Sequence, residues 1–160
     1  MTENCETPVM RPEHRTRGQR MSSPDERDGV VITPGAEGMT AADLAGFFVG
    51  WPDPPTAARR LGIMRAADEV VVARDRAGAV IGFATALTDR RFAAYIPLVE
   101  VLPEHQGRGV GTRLVEALLG RLAGCYMIDL VCDDEGVPFY TRLGGTPLNA
   151  VVWRNHDRLG

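Results

Sequence analysis

Lysine is missing from all 160 residues, so each of the 18 basic side chains is an arginine. That excludes a nucleotide-hydrolysing P-loop, which needs a lysine behind its last glycine, and it excludes a lysine Schiff base. Serine occurs only at Ser22 and Ser23, inside a stretch with no apolar period, which removes a serine hydrolase. The three cysteines, Cys5, Cys125 and Cys132, lack C-x-x-C spacing, and His14, His105 and His156 are scattered. Neither a disulfide framework nor a metal site follows. No apolar run approaches the ~18 residues of a membrane span, and the N-terminus lacks a signal-peptide core, so the expectation is a cytoplasmic protein without a membrane partner. The formal net charge is −3, with arginines dispersed along the chain, so no basic patch marks a nucleic-acid partner.

What is present is one domain's worth of chain, long enough to bury a self-sufficient core. Residues 1–28 are rich in Arg, Glu, Pro, Ser and Thr and read as a disordered tail, leaving residues 29–158 as the folded domain. A short strand is expected at Val30-Val31-Ile32. Thr40, with Asp43 three residues on, has the spacing of a capping box and predicts a helix through Leu44, Phe47 and Phe48 that stops near Gly50. The prolines Pro52, Pro54 and Pro55 force a fresh start, so a second helix is expected from Thr56 to about Ala66. Residues 69–74 and 79–87 read as strands joined by a hairpin turn at Asp75-Arg76-Ala77-Gly78. A strand over 91–102 follows, then an amphipathic helix over 109–122 with Leu114, Val115, Leu118, Leu119 and Leu122 on one stripe, then a strand over 126–132. A helix between adjacent strands makes that pair parallel. A short helix over 137–143, ended by Gly144, and a last strand over 146–154 complete the reading.

Residues 99–112, VEVLPEHQGRGVGT, carry the chemistry. A strand that feeds a glycine-rich loop and then a helix builds an anion site, because the glycines let backbone approach a ligand and the helix offers unpaired N–H groups and a positive dipole end. Gly107, Gly109 and Gly111 are evenly spaced, which does not fit the Gly-x-Gly-x-x-Gly dinucleotide fingerprint. A phosphorylated ligand of another kind is expected.

Gln106-Gly107-Arg108-Gly109-Val110-Gly111 resembles the Q/R-x-x-G-x-G/A motif of the GCN5-related N-acetyltransferase (GNAT) superfamily. Upstream, Val99-Glu100-Val101-Leu102-Pro103 resembles the family's fourth strand and the turn after it. Downstream, Phe139-Tyr140-Thr141-Arg142-Leu143-Gly144-Gly145 resembles its FYxKLGF signature. The resemblance covers roughly residues 70–154. It implies an α/β fold of the α+β type, with a mixed, mostly antiparallel sheet flanked by helices and with the fourth and fifth strands splayed apart. It also implies acetyl transfer from acetyl-CoA to a primary amine by direct attack in a ternary complex, without a metal.

By the same resemblance, backbone groups of Val99, Val101 and Leu102 would hold the pantetheine arm, and Gln106, Gly107, Arg108, Gly109, Val110, Gly111 and Thr112 the pyrophosphate. Asp133 stands where the family often has a CoA-contacting Asn. Tyr140 is the candidate acid for the departing thiolate, since a phenol with a pKa near ~10 is protonated at neutral pH. Glu100 is the candidate base, a carboxylate flanked by valines on an apolar strand and so partly desolvated; a structural carboxylate or a contact to a cationic acceptor are the other readings of it. Family bases often lie earlier, where this chain has Tyr95 and Pro97. Pro97 suits a strand that leaves its partner, because proline removes a ladder donor. The helix pair and proline joint over 40–66 fall where the family shapes its acceptor pocket. A small-molecule amine is the expected partner, and a homodimer through the last strand is a further implication. The alternatives are a non-catalytic acyl-CoA sensor on the same fold and an enzyme using a longer acyl donor.

Overall fold

The computed structural model describes residues 25–155 of the chain. Six strands, β1 (Asp25–Arg27), β2 (Val30–Pro34), β3 (Glu69–Arg74), β4 (Val80–Thr88), β5 (Ala93–Val101) and β6 (Met127–Leu130), lie in sequence order across one sheet. Every neighbouring pair is antiparallel except β5 and β6, which are parallel. The connection between those two carries helix α2 (Val110–Arg121), as a parallel crossover requires. Helix α1 (Ala57–Ala66) and helix α3 (Val137–Arg142) complete the element list. The mixed, mostly antiparallel α/β fold expected from the resemblance is the fold observed.

The two faces of the sheet bury different cores. On one face, α2 sets Val110, Leu114, Leu118 and Leu122 onto Ile32, Val71, Ala73, Ile81, Ala84 and Ile96. Each fully buried Leu on that stripe contributes about 1.5–3 kcal/mol. On the other face, Met64 of α1 joins Leu44, Phe47 and Phe48 over Val70, Val72 and Phe83. At the far end of α2, Arg121 reaches the buried carboxylate of Glu69, which also pairs with Arg90 at 3.5 Å. That ties the C-terminus of α2 to the start of β3.

Several local readings hold. Asp75 Oδ1 accepts the N–H groups of Ala77 and Ala79 and Gly78 sits at φ +83°, which closes the β3–β4 hairpin. Thr56 caps α1 through its hydroxyl, which accepts from Arg59 N–H at 3.4 Å.

Three expectations are corrected. Thr40 and Asp43 do bond to each other, with the Thr40 N–H and hydroxyl both donating to the Asp43 carboxylate at 2.8 Å, but they open only a single 3₁₀ turn, Ala42–Leu44. The helix cannot extend because Gly46, Phe48 and Gly50 all take positive φ, at +81°, +63° and +80°. Residues 146–154 are not a strand: no ladder partner reaches them among the described residues, and Leu148, Val151 and Trp153 stay exposed. β1 takes three residues from the segment assigned to the tail and forms a hairpin with β2 through Asp28 and Gly29. The rest of that segment, and residues 156–158 of the expected domain, lie outside the described residues.

Gly82 of β4 lies directly beneath α2. A Cβ there would come within 2.9 Å of the Glu100 carbonyl oxygen and 3.0 Å of Leu114 Cδ1, and neither the backbone nor the packed Leu can give way easily. Gly82→Ala is therefore expected to lower stability by about 1–3 kcal/mol, read from urea unfolding midpoints at unchanged slope.

Candidate active site

The site begins where β5 changes partners. Its register with β4 runs Thr85↔Leu98 and then Leu87↔Tyr95, so β5 spends one residue more than β4 in a bulge at Ile96 and Pro97. Its register with β6 stops at Ile96↔Leu130. β6 itself ends at Leu130, so from Pro97 onward β5 is paired on its β4 side alone among the described residues, and its β6-facing edge is left without a ladder partner. Proline at the bulge has the role the sequence suggested, since it has no N–H to give to a ladder.

Val99 and Val101 point to the α2 core, and their backbones are opposite Ala84 and Gly82 of β4. Past the strand, Leu102 N–H donates to Ile81 O at 3.0 Å, and Pro103–His105 makes a 3₁₀ turn. Gln106 folds back, its Nε2 donating to Val101 O at 2.9 Å, which pins the glycine loop to the end of β5. Gly107 and Gly109 take φ of +70° and +77°, conformations that L side chains rarely adopt. Gly109 is the N-cap of α2 and has no side chain to cap it, so the N–H groups of the first turn, from Val110, Gly111 and Thr112, remain available to an external acceptor. Arg108 is exposed beside them.

Helix α3 closes this corner. A Cβ on Gly111 would lie 3.6 Å from Phe139 Cζ and 3.7 Å from Val101 Cγ2, so the first turn of α2, the end of β5 and α3 meet there. Tyr140, half-buried on α3, has its ring edge-on to Phe139 at 4.9 Å. Its phenol is pushed above the ordinary value, chiefly by burial and secondarily by Cys132 and Asp133. Asp133 is occupied locally, its Oδ1 accepting the Gly136 N–H at 2.8 Å at the turn into α3.

Glu100 alternates with Val99 and Val101 and so faces the opposite core, beneath Phe48. Its Oε2 accepts the Phe48 N–H at 2.7 Å across 52 positions of sequence. Burial raises its carboxyl above the ordinary carboxylate value, while the Phe48 N–H and the Arg60 guanidinium partly oppose that rise. Phe48 itself stands at φ +63°, a conformation costing a bulky residue about 1–2 kcal/mol. The structure thus groups Tyr140 of α3 with Cys132 and Asp133 from the segment before that helix, and places Glu100 against the segment after the first 3₁₀ turn. Phe48 and Arg60 escaped the sequence reading, because nothing local signals a hydrogen bond between residues 52 apart.

Known proteins share this sequence pattern and fold. The family model for the acetyltransferase (GNAT) family matches residues 36–145. The chain is similar to a crystal structure of a candidate acetyltransferase from Deinococcus radiodurans R1, with 41% identity, TM-score 0.79, and coverage of 86% of this chain and 96% of that one. It is 30% identical over 108 residues to a glucosamine 6-phosphate N-acetyltransferase of Trypanosoma brucei brucei, covering 62% of this chain and 65% of that protein. It is 46% identical over 69 residues to GCN5-related N-acetyltransferase 2, chloroplastic, of Arabidopsis thaliana, covering 41% of this chain and 26% of that protein. The chain therefore spans about a quarter and just under two thirds of these two curated relatives.

The Tyr140 environment makes its own prediction. Phenolate absorbance, taken as wild type minus Tyr140→Phe, should titrate above pH 10, because burial, and secondarily the neighbouring Cys132 and Asp133, disfavour the anion.

Proposed function

The chain belongs to the GNAT acetyltransferase family, and from that premise we propose that it transfers an acetyl group from acetyl-CoA to the primary amine of a small molecule, in the cytoplasm. The observation that carries this reading is the gap in pairing on the β6-facing edge of β5 past Ile96, which leads to a glycine loop and the uncapped N-terminus of α2. The pantetheine arm would lie in that gap as a stand-in strand, against the backbone of Val99, Val101 and Leu102. The pyrophosphate would rest on the loop from Gln106 through Gly107, Arg108, Gly109 and Val110 to Gly111 and Thr112, with N–H groups and a helix dipole as its counter-charge. Arg108 adds the one full positive charge of that loop.

Catalysis is then mostly proximity, with Glu100 and Tyr140 as the proposed proton-transfer groups. The acceptor arrives as an ammonium ion and loses one proton to Glu100, directly or through water. Its nitrogen attacks the thioester carbon, the C–S bond breaks, and Tyr140 donates its phenolic proton to the departing sulfur. The second proton leaving nitrogen restores the phenol, and the proton on Glu100 passes to solvent. Ammonium and acetyl-CoA thus give amide, CoA thiol and one released proton. Asp133 disfavours the Tyr140 phenolate and, with Oδ1 holding the Gly136 N–H, would meet the cofactor through Oδ2.

The amine could be a sugar phosphate, as in the trypanosome relative's name, or another small amine. A homodimer also belongs to this proposal. The extended residues 146–154 expose Leu148, Val151, Val152 and Trp153, and β6 ends the sheet with one side unpaired. The engagement of Glu100 by Phe48 favours a second reading, an acyl-CoA-binding sensor without turnover.

Thiol release from acetyl-CoA against a pooled library of amines, with CoA binding followed by calorimetry, separates these readings. Turnover with one amine class supports the enzyme, tight binding without turnover supports the sensor, and absence of binding overturns both. In the enzyme, Tyr140→Phe should lower kcat by ~10²-fold with CoA affinity unchanged. The base must be deprotonated, so kcat/KM should rise with pH through a midpoint above the ordinary carboxylate range, as the raised Glu100 value requires.

A further inference from the structure

Between the 3₁₀ turn and α1 the chain makes a loop over residues 45–54 with no regular structure of its own. It contains Phe47 and Phe48, both buried, and Trp51, which is edge-on to Phe48 at 5.2 Å. Three residues in it hold positive φ, and one of them is the bulky Phe48. Such a loop needs an outside restraint to keep one conformation.

Arg60 of α1 supplies that restraint at both ends. Its Nε donates to Pro55 O at 2.8 Å and its Nη1 to Leu44 O at 3.0 Å, so one guanidinium ties the residues that bracket the loop. The same group lies over the Phe48 ring at 5.3 Å. Phe48 in turn donates its N–H to Glu100. Around that carboxylate, β4 contributes the apolar Phe83 as register partner, and Arg60 is the charged group acting on it.

We propose that Arg60 is a positioning residue for acetyl transfer: by clasping Leu44, Pro55 and Phe48 it folds the 45–54 loop against Glu100 and so sets both the acceptor-side wall and the orientation of the base. This rests on the reading of Glu100 as the base and of this loop as the acceptor wall. A planar fork suits this role, because its separate Nε and Nη1 donors reach two carbonyls while its flat face covers a ring, and an ammonium has one compact donor centre and no such face. The clasp also links protonation to loop closure. A proton taken up by Glu100 weakens its acceptance of the Phe48 N–H, so the loop loosens when the base has done its work and tightens again when the proton leaves.

The test uses the full chain and two variants, Arg60→Lys and Arg60→Met. Backbone amide exchange of the 45–54 loop, followed by mass spectrometry, should speed up at least tenfold in both, while exchange in β3 and β4 is unchanged. The carboxyl titration of Glu100, followed by NMR in protein labelled at Glu, should move upward in both variants, because both loosen the Phe48 N–H bond that holds it down, and furthest in Arg60→Met, which loses the charge as well. An arginine that left the Phe48–Glu100 bond alone would shift the titration in Arg60→Met only. In the wild type alone, the protection factor of the Phe48 amide should fall as Glu100 protonates. Unchanged loop exchange in both variants, or a Phe48 protection factor independent of pH, would overturn the proposal even if a variant folds poorly. With acetyl-CoA and the amine found to turn over fastest, Arg60→Lys should raise the amine KM about tenfold and leave the CoA affinity as it was. If no amine turns over, the enzyme reading fails, while the exchange and titration results still decide whether the clasp exists.

Discussion

The gap in pairing between β5 and β6 after the Ile96–Leu130 pair is the constraint on which the rest of this molecule depends. Strands in a sheet leave few backbone groups for other uses, since an unpaired N–H or carbonyl inside a domain costs about as much as a lost hydrogen bond. Here one strand is released on one side and kept on the other. The bulge at Ile96 and Pro97 bends β5 while β4 continues to pair with it out to Gly82↔Val101. The released side is stable only if something extended can occupy it, which is why a ligand with a long, hydrogen-bonding arm suits the gap so well.

What keeps the gap useful is the rigidity on either side of it. The apolar stripe of α2 lies over four strands, so the glycine loop at its N-terminus cannot drift from the end of β5. Gln106 adds a direct bond from that loop to Val101. On the opposite face, the phenylalanines of the 45–54 loop pack on Phe83, with Phe47 at 5.0 Å and Phe48 at 6.3 Å between ring centroids. The two candidate proton-transfer groups thus have different supports. Tyr140 depends on a short helix docked through Phe139, and Glu100 on a loop held in a strained conformation by hydrogen bonds from outside it.

The parts legible in the sequence were those fixed by local pattern. Alternation and β-branching placed β3 and β4, the 3.6-residue stripe placed α2, and Asp75 with Gly78 placed the hairpin between β3 and β4. The break in β5 was legible because proline has a backbone consequence that needs no tertiary information. Elsewhere local pattern misled. Residues 40–50 have the composition of a helix, but glycines at 46 and 50 and the left-handed Phe48 turn the chain away from one, and Phe48 is held so by Glu100 from another part of the fold. Residues 146–154 have the composition of a strand but no partner among the described residues, and a strand is defined by its ladder. The Glu100–Phe48 bond and the Arg60 clasp were invisible for the same reason: they join segments that only the packed sheet brings together.

The central claim, that the gap between β5 and β6 and the glycine loop beyond it form one continuous acyl-CoA site, is tested most directly by a crystal structure of the full chain grown with CoA. The account predicts the pantetheine arm alongside Val99 and Val101 past the Ile96–Leu130 pair, and the pyrophosphate on the N–H groups between Gln106 and Thr112. CoA bound elsewhere with the loop empty, or β5 and β6 paired along their full length in the complex, would contradict it.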